Sequence, residues 1–395
     1  MASRKKASRP ESPPAPAVVI LAAGKGTRMR SDLPKVLHQV MGRPIIAHVL
    51  NAARYLEPAR LIVVTGHGAD LVEAAAAPFG ASFARQDDPR GTGHAVQCAA
   101  PALDGHAGPV VILPGDVPLL SPQTLIDLMA AHRVLSARLS VLTVRVADPA
   151  SYGRVVRDGK GWLERIVEAR DASESELAIN EINSGVYVAS GPDLVESVFG
   201  LKPDNDQKEY YLTDVVADFR ARGLLAAAVE GPDPLEIQGV NDRLELSVAQ
   251  SILRRRINES WLLSGVTMAD PASTHIEASV RLARDVSLGP GVVLQGTTRI
   301  GQGATVGPYC CLRDVEVGPG VSLGAHLDLS CQSIGADGHG VPETPPPVPK
   351  KQGGGPGQAP ARTRAGRRAA PGASAPEAGT PEKPPRRPSP GKGKS

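Results

Sequence analysis

Ile276, Leu282, Leu288, Leu294, Ile300, Val306 and Leu312 follow one another at intervals of six residues, and after one five-residue step the series resumes at Val317, Leu323 and Leu329. Glycine follows several of them, at Gly289, Gly301, Gly307, Gly318 and Gly324. A strict six-residue apolar period with glycine at the turns is the signature of a left-handed parallel β-helix, in which each apolar residue points into a triangular prism. The spacing predicts about three coils between Ile276 and Leu329, with an open lower end that would expose apolar surface and unpaired backbone.

A different rhythm precedes it. From Ala17 to about Asp242, short β-branched runs alternate with longer helical stretches. Val18–Leu21, Leu61–Val64, Pro109–Leu113 and Leu139–Val146 read as buried strands; Pro44–Tyr55, Ala69–Ala77, Gly93–Ala100 and Ser121–His132 read as helices, several opened by proline or Ser-Pro. This alternation implies a Rossmann-like α/β domain over 17–242, with a mostly parallel sheet and a ligand site at the carboxyl ends of its strands. Arg243 to Ser264 reads as a linking helix with Leu244, Val248, Ile252 and Leu253 on one face, and 265–335 as the shortened β-helix.

The ends have another character. From Val341 onward there are 14 Pro and 9 Gly, and no Leu, Ile, Phe, Tyr, Trp or Met. Such a segment buries too little surface to offset its ordering entropy, so disorder is expected over 336–395 and over the Pro-rich extension 1–16. Residues 341–395 carry 11 Lys+Arg against 3 Asp+Glu and residues 1–16 carry 4 against 1, so a total of +3 leaves the body at −8. The basic ends therefore read as solvated segments and not as a nucleic-acid surface, since aromatic residues are not interleaved with the charges.

No apolar run near the N-terminus is long enough for a signal peptide or a membrane span, which predicts a cytoplasmic location. Cys98, Cys310, Cys311 and Cys331 lack Cys-x-x-Cys spacing, and an adjacent pair cannot be bridged without distortion, so buried reduced thiols are expected.

Several motifs fall just after predicted strands. Leu21-Ala-Ala-Gly-Lys-Gly-Thr-Arg-Met29 places small residues where backbone N–H groups can approach a phosphate or base, and Lys25, Arg28 and Lys35 supply positive charge for a polyphosphate. The dinucleotide fingerprint needs glycine where Met29 stands, and a Walker loop is absent. Gln86, followed by Gly91-Thr-Gly-His-Ala95, offers an amide and a hydroxyl suited to a pyrimidine base edge. In Gly115-Asp-Val-Pro-Leu119, Asp116 stands where a strand-end carboxylate holds Mg²⁺ against phosphates, although such a residue also serves as a turn or cap. Tyr152-Gly-Arg154, Ile166-Val-Glu168, Asn180–Gly185 and Val240-Asn241 supply groups that hydrogen-bond sugar hydroxyls or complete a metal shell. His67 and His94 are accounted for by capping or packing.

Together with Leu33-Pro-Lys-Val-Leu37, Glu209-Tyr-Tyr-Leu-Thr-Asp214 and Gly239-Val-Asn-Asp-Arg243, this set resembles the bacterial bifunctional N-acetylglucosamine-1-phosphate uridylyltransferase/glucosamine-1-phosphate acetyltransferases, over about Ala17 to Leu329. The resemblance implies Mg²⁺-dependent transfer of UMP from UTP to N-acetylglucosamine-1-phosphate, giving UDP-N-acetylglucosamine, a cell-wall precursor, and pyrophosphate. It implies a nucleotide site at Leu21, Ala22, Ala23, Gly24, Lys25, Gly26, Gln86, Gly91 and Thr92, with Arg28 and Lys35 neutralising the phosphates. Asp116 and Asn241 would bind Mg²⁺, and Tyr152, Gly153, Glu168 and Asn183 would grip the sugar. It also implies a possible homotrimer through the β-helix.

The chain departs from the pattern at Pro114 and Ser184, where an aromatic residue and threonine are more usual. The family's acetyltransferase site uses Tyr and Asn residues on later coils, whereas this chain has neither beyond Gly335. Acetyl transfer is therefore expected to be lost. A nucleotidyltransferase for another sugar-1-phosphate, and an inactive trimeric scaffold, remain the alternatives.

Overall fold

A computed structural model of the chain describes residues 14–335. The expected tail over 336–395, and all but the last three residues of the expected N-terminal extension, lie outside the described residues.

The first part alternates strands and helices in chain order. β1 (Ala17–Leu21) is followed by the hairpin of β2 (Gln39–Val40) and β3 (Arg43–Pro44), then by α1 (Ile45–Arg54), β4 (Arg60–Thr65) and α2 (Ala69–Ala76). Next come β5 (Ser82–Arg85), α3 (Thr92–Ala99), β6 (Pro109–Pro114), α4 (Pro122–Val134) and β7 (Leu139–Arg145). β8 (Arg154–Arg157), β9 (Leu163–Val167), α5 (Glu174–Leu177), β10 (Glu181–Ser190), α6 (Gly191–Gly200), α7 (Val215–Ala221) and β11 (Ala226–Glu230) complete it.

The main path of the sheet runs β11-β7-β10-β6-β1-β4-β5, with the β8–β9 hairpin attached through β10. Only β10 runs antiparallel on that path, against β6 and β7. β1, β4, β6 and β7 are buried along nearly their whole length because helices cover both faces, and this is why β1, β4 and β6 read as continuous apolar runs. α4 begins as its sequence predicts: the Ser121 side chain accepts from the Thr124 amide and Pro122 sits in the first turn.

α8 (Arg243–Leu263) leads into the second part, and its buried face differs from the expected one. Leu244 is 74% and Val248 38% exposed, whereas Ala249 is buried and Leu246, Ile252, Leu253 and Ile257 pack beside it against Val40, Met41, Ile45, Leu119 and Val240. The helix lies against the β2–β3 hairpin, which turns its stripe away from Leu244.

Beyond α8, short parallel strands stack into three four-stranded sheets, beginning at Thr267–Met268, His275–Ile276 and Arg281–Leu282. This is the arrangement of a parallel β-helix of left-handed type, with four strands per face where about three coils were expected. Met268 opens the inward series eight residues before Ile276, and Ile334 closes it after a further five-residue step, so the strict period misses both. A second inward series with the same steps is not singled out by the sequence reading: Val280, Val286, Val292, Ala304, Cys310, Val315 and Val321 are also buried. The glycines serve close stacking between coils; a Cβ on Gly301 would lie 2.6 Å from the Pro319 nitrogen.

The two parts are fastened together at the first coil. The Ala278 amide donates to the Met41 carbonyl at 3.1 Å, and Arg43 donates to the Ala278 carbonyl. Gly42 has φ +76°, and a Cβ there would fall 2.4 Å from the Glu277 carboxylate, so a glycine is required for the hairpin to meet this side chain. The Asn258 amide, on α8, donates to the Pro271 and Thr274 carbonyls.

All four cysteines are free. Cys310 is buried, but Cys98 and Cys311 are half-buried and Cys331 is exposed, contrary to the expectation of burial. Among the described residues, no helix is long and apolar enough to cross a membrane.

Candidate active site

A cavity of about 400 Å³ opens at the carboxyl ends of β1, β5 and β6. Eleven of the residues singled out in the sequence line it: Leu21, Ala22, Ala23, Gly24, Lys35, Gln86, Gly91, Thr92, Asp116, Glu168 and Asn183. Strand ends leave backbone groups and short side chains facing one crevice, which is why motifs far apart in sequence meet here.

One wall is built from the start of α3. Gly91 has φ +100°, and a Cβ there would lie 2.6 Å from the Tyr210 carbonyl. That carbonyl also accepts from the Gly93 amide at 2.8 Å, while the Thr92 hydroxyl accepts from the Leu212 amide at 3.1 Å. The segment Glu209–Thr213 is thereby clamped to the helix start and adds Glu209, Leu212 and Thr213 to the cavity wall. Sequence reading quoted this motif but gave it no role, since its contribution depends on pairing across more than a hundred residues.

The Gln86 amide nitrogen donates to the Gly91 carbonyl at 3.0 Å and lies 3.0 Å from His94 Nδ1. With Nδ1 bare, both amide protons are engaged and the carbonyl oxygen is what Gln86 can offer a ligand. His94 Nε2 lies 3.8 Å from Cys98 Sγ. Burial and the nearby Arg90 hold the His94 imidazole below its ordinary range, which favours the neutral ring.

At the centre, Lys35 Nζ lies 2.5 Å from Asp116 Oδ2 and 3.0 Å from Asn241 Oδ1. Asn241 does not line the cavity but reaches it through this contact. The Val240 amide donates to the Asp116 carbonyl at 2.9 Å, which ties the start of α8 to the end of β6. A carboxylate and an amide oxygen arranged about one cation are hard donors, few in number. They fit a divalent ion such as Mg²⁺, which keeps several waters and takes its other ligands from phosphates.

The opposite wall is polar and partly desolvated. Thr213 donates to Glu168 Oε1 at 3.2 Å, and burial pushes the Glu168 carboxyl above its ordinary range against that bond. Asn183 Nδ2 donates to the Tyr187 hydroxyl at 2.9 Å, and its backbone amide donates to the Gly153 carbonyl. Burial, then the charge of Glu168, pushes the Tyr187 phenol upward, so it remains a neutral donor. Sequence reading missed Tyr187, which stands in an apolar stretch of β10. Tyr152 is half-buried, with the Gly239 backbone beside it and Asp116 close enough to raise its pKa after burial.

Lys25, Gly26 and Arg28 stand apart from this group. They lie on the turn after β1, with Lys25 and Arg28 exposed, and none of them lines the cavity.

Residues 18–184 match the model of the MobA-like NTP transferase domain. Over 310 residues the chain is 43% identical to the bifunctional protein GlmU of Geotalea uraniireducens, covering 78% of this chain and 68% of that one. The chain belongs to the bifunctional GlmU family. It is 50% identical over 307 residues to GlmU of Kineococcus radiotolerans, covering 77% of this chain and 62% of the relative. It is 44% identical over 321 residues to GlmU of Burkholderia vietnamiensis, with 81% and 70% covered. The chain thus spans roughly two thirds of the length of the GlmU relatives it matches. A crystal structure of UDP-glucose pyrophosphorylase complexed with UDP-glucose superposes with a TM-score of 0.50 at 19% identity, covering 61% of this chain and 98% of that one, and shares the sheet architecture.

Proposed function

We propose that this chain transfers UMP from UTP to N-acetylglucosamine-1-phosphate, forming UDP-N-acetylglucosamine and releasing pyrophosphate. The observation that carries this is one cavity lined by Gln86, Gly91 and Thr92 on one side, by Lys35 and Asp116 at the centre with Asn241 behind them, and by Glu168 and Asn183 on the other. Membership of the GlmU family, with its NTP transferase domain, supports the same assignment.

Gln86 and the backbone at Ala23, Gly24 and Gly91 would hold uracil and ribose on the β5–α3 side. Glu168, Asn183 and Gly153, with Tyr152 beside them, would orient the sugar so that its phosphate oxygen lies in line with the α-phosphorus. Attack forms the new P–O bond as the bond to pyrophosphate breaks, with no covalent enzyme intermediate. Lys35 would follow the charge that builds on the phosphates, and Arg28 would join it from the turn. Asp116 and Asn241 would hold Mg²⁺, which supplies charge neutralisation to the phosphates when bound. A cytoplasmic location and a homotrimer through the β-helix belong to the same proposal.

The test is pyrophosphate release from UTP, N-acetylglucosamine-1-phosphate and Mg²⁺, run beside thiol release from acetyl-CoA and glucosamine-1-phosphate. Pyrophosphate release is expected, and thiol release would add acetyl transfer to it. Pyrophosphate only with glucose-1-phosphate would reassign the sugar, and silence in both assays, with Asp116→Ala unchanged from the parent, would remove the enzymatic reading.

A further inference from the structure

We infer that His94, which does not line the cavity, is a positioning residue that fixes which face of the Gln86 amide is presented to the nucleobase, and so sets preference for uracil over cytosine. The inference rests on the uridylyl-transfer reading given above.

A carboxamide has a donor end and an acceptor end, and rotating it by half a turn exchanges them. Uracil offers an N–H at ring position 3, where cytosine offers a bare nitrogen. A glutamine that presents its carbonyl oxygen therefore selects uracil, and one that presents its NH₂ group selects cytosine. In this structure the Gln86 nitrogen lies 3.0 Å from the Gly91 carbonyl and 3.0 Å from His94 Nδ1. The Gly91 carbonyl can only accept. His94 Nδ1 accepts only while the ring is neutral with its proton on Nε2. Nε2 lies 3.8 Å from Cys98 Sγ, a thiol whose pKa is raised by burial, so the sulfur is one group available to that proton.

The surroundings keep the ring in this state. Arg90 opposes protonation, Asp88 favours it through both its backbone and its charge, and burial outweighs Asp88. The Tyr210 ring lies 6.2 Å away, tilted by 35°. Protonation would place an N–H against the Gln86 NH₂ group, donor against donor. The amide could then satisfy His94 or Gly91 but not both.

The experiment compares the full chain with His94→Ala and His94→Asn, the latter able to place an acceptor oxygen near the position of Nδ1 without titrating. Steady-state rates and calorimetric binding are measured with UTP and CTP. His94→Ala is expected to raise KM for UTP about tenfold and to narrow the UTP/CTP preference by a similar factor, with kcat changed far less, because one amide proton loses its partner and the rotation is released. His94→Asn restores the preference. From about pH 8 to about pH 5 the parent should lose the preference progressively, while His94→Asn holds it. Nitrogen-15 spectra of the histidine-labelled parent should show the Nε2–H tautomer at His94, a readout that needs no activity. An unchanged UTP/CTP ratio in His94→Ala, or a proton on Nδ1 at neutral pH, overturns the assignment while leaving uridylyl transfer standing. A parent that shows the Nε2–H tautomer and yet binds no UTP overturns both.

Discussion

Lys35 Nζ stands between Asp116 Oδ2 and Asn241 Oδ1, at 2.5 Å and 3.0 Å, so a protein cation occupies the space where the two oxygens converge. The Lys35 side chain is 14% exposed and that of Asp116 22%, so the contact is partly desolvated and each charge depends on the other. Replacing Lys35 by methionine removes the competing ammonium. Lys35→Met is expected to bind Mn²⁺ more tightly than the parent when nucleotide is absent, read by calorimetry, and to lose about 10²- to 10³-fold in turnover. Weaker Mn²⁺ binding in the variant would contradict the arrangement.

Asp116→Asn keeps the shape and removes the charge. Turnover should fall by about 10³-fold or more with little change in melting temperature, and the loss in the double variant with Lys35→Met should be well short of the product of the two single losses, because both act at one point. Independent, multiplicative losses would show that the pair does not act as a unit.

Glu168 and Glu181 make opposite predictions for pH. Burial raises the folded-state pKa of Glu168 above its unfolded value, so its ionisation weakens the fold as pH rises through the carboxylate range into its raised value. Glu168→Gln should therefore raise the melting temperature near neutral pH, and the gain should vanish in acid, where both forms are neutral. KM for the sugar phosphate should rise in the same variant.

Glu181 is also buried, at 3% side-chain exposure, and burial opposes its ionisation. Hydrogen bonds from Arg157 and Thr143, with the charge of Arg145, more than offset that and hold its pKa low. Its contribution is present above the unfolded pKa and lost as pH falls through the folded one. Glu181→Gln should destabilise the protein by about 3 kcal/mol at neutral pH by leaving a guanidinium without its counter-charge, measured by urea unfolding, with the deficit shrinking in acid.

At the junction of the two parts, Gly42→Ala should cost about 1–3 kcal/mol, since it adds a methyl group at positive φ against the Glu277 carboxylate. Shortening the opposing side chain by Glu277→Ala should recover part of that loss, leaving only the backbone cost. A full loss that Glu277→Ala does not soften would place the strain elsewhere.

Much of this was readable in the chain because the signals are local. Buried strands such as Pro109–Pro114 are continuous apolar runs, and the inward residues from Ile276 to Leu312 keep their period. What escaped depends on partners distant in sequence. The face of α8 is chosen by the β2–β3 hairpin, so Leu244 reads as buried and is not. Met268 and Ile334 escape because the coils change length at each end. His94 reads as a capping or packing residue, and its contact with Gln86 depends on how the loop from β5 returns to α3.

The strut between the two parts also has a mechanical side. α8 is 21 residues long, about 30 Å end to end, with Asn241 just ahead of its first turn and Asn258 anchored to the first coil near its last. The rod is braced along its length: Ala249 and its neighbours pack on the β2–β3 hairpin, and the Val240 amide just ahead of it is tied to the Asp116 carbonyl. The β-helix and the cation centre are therefore joined by one continuously braced strut, and the prism serves as a footing for the site whatever else its coils do.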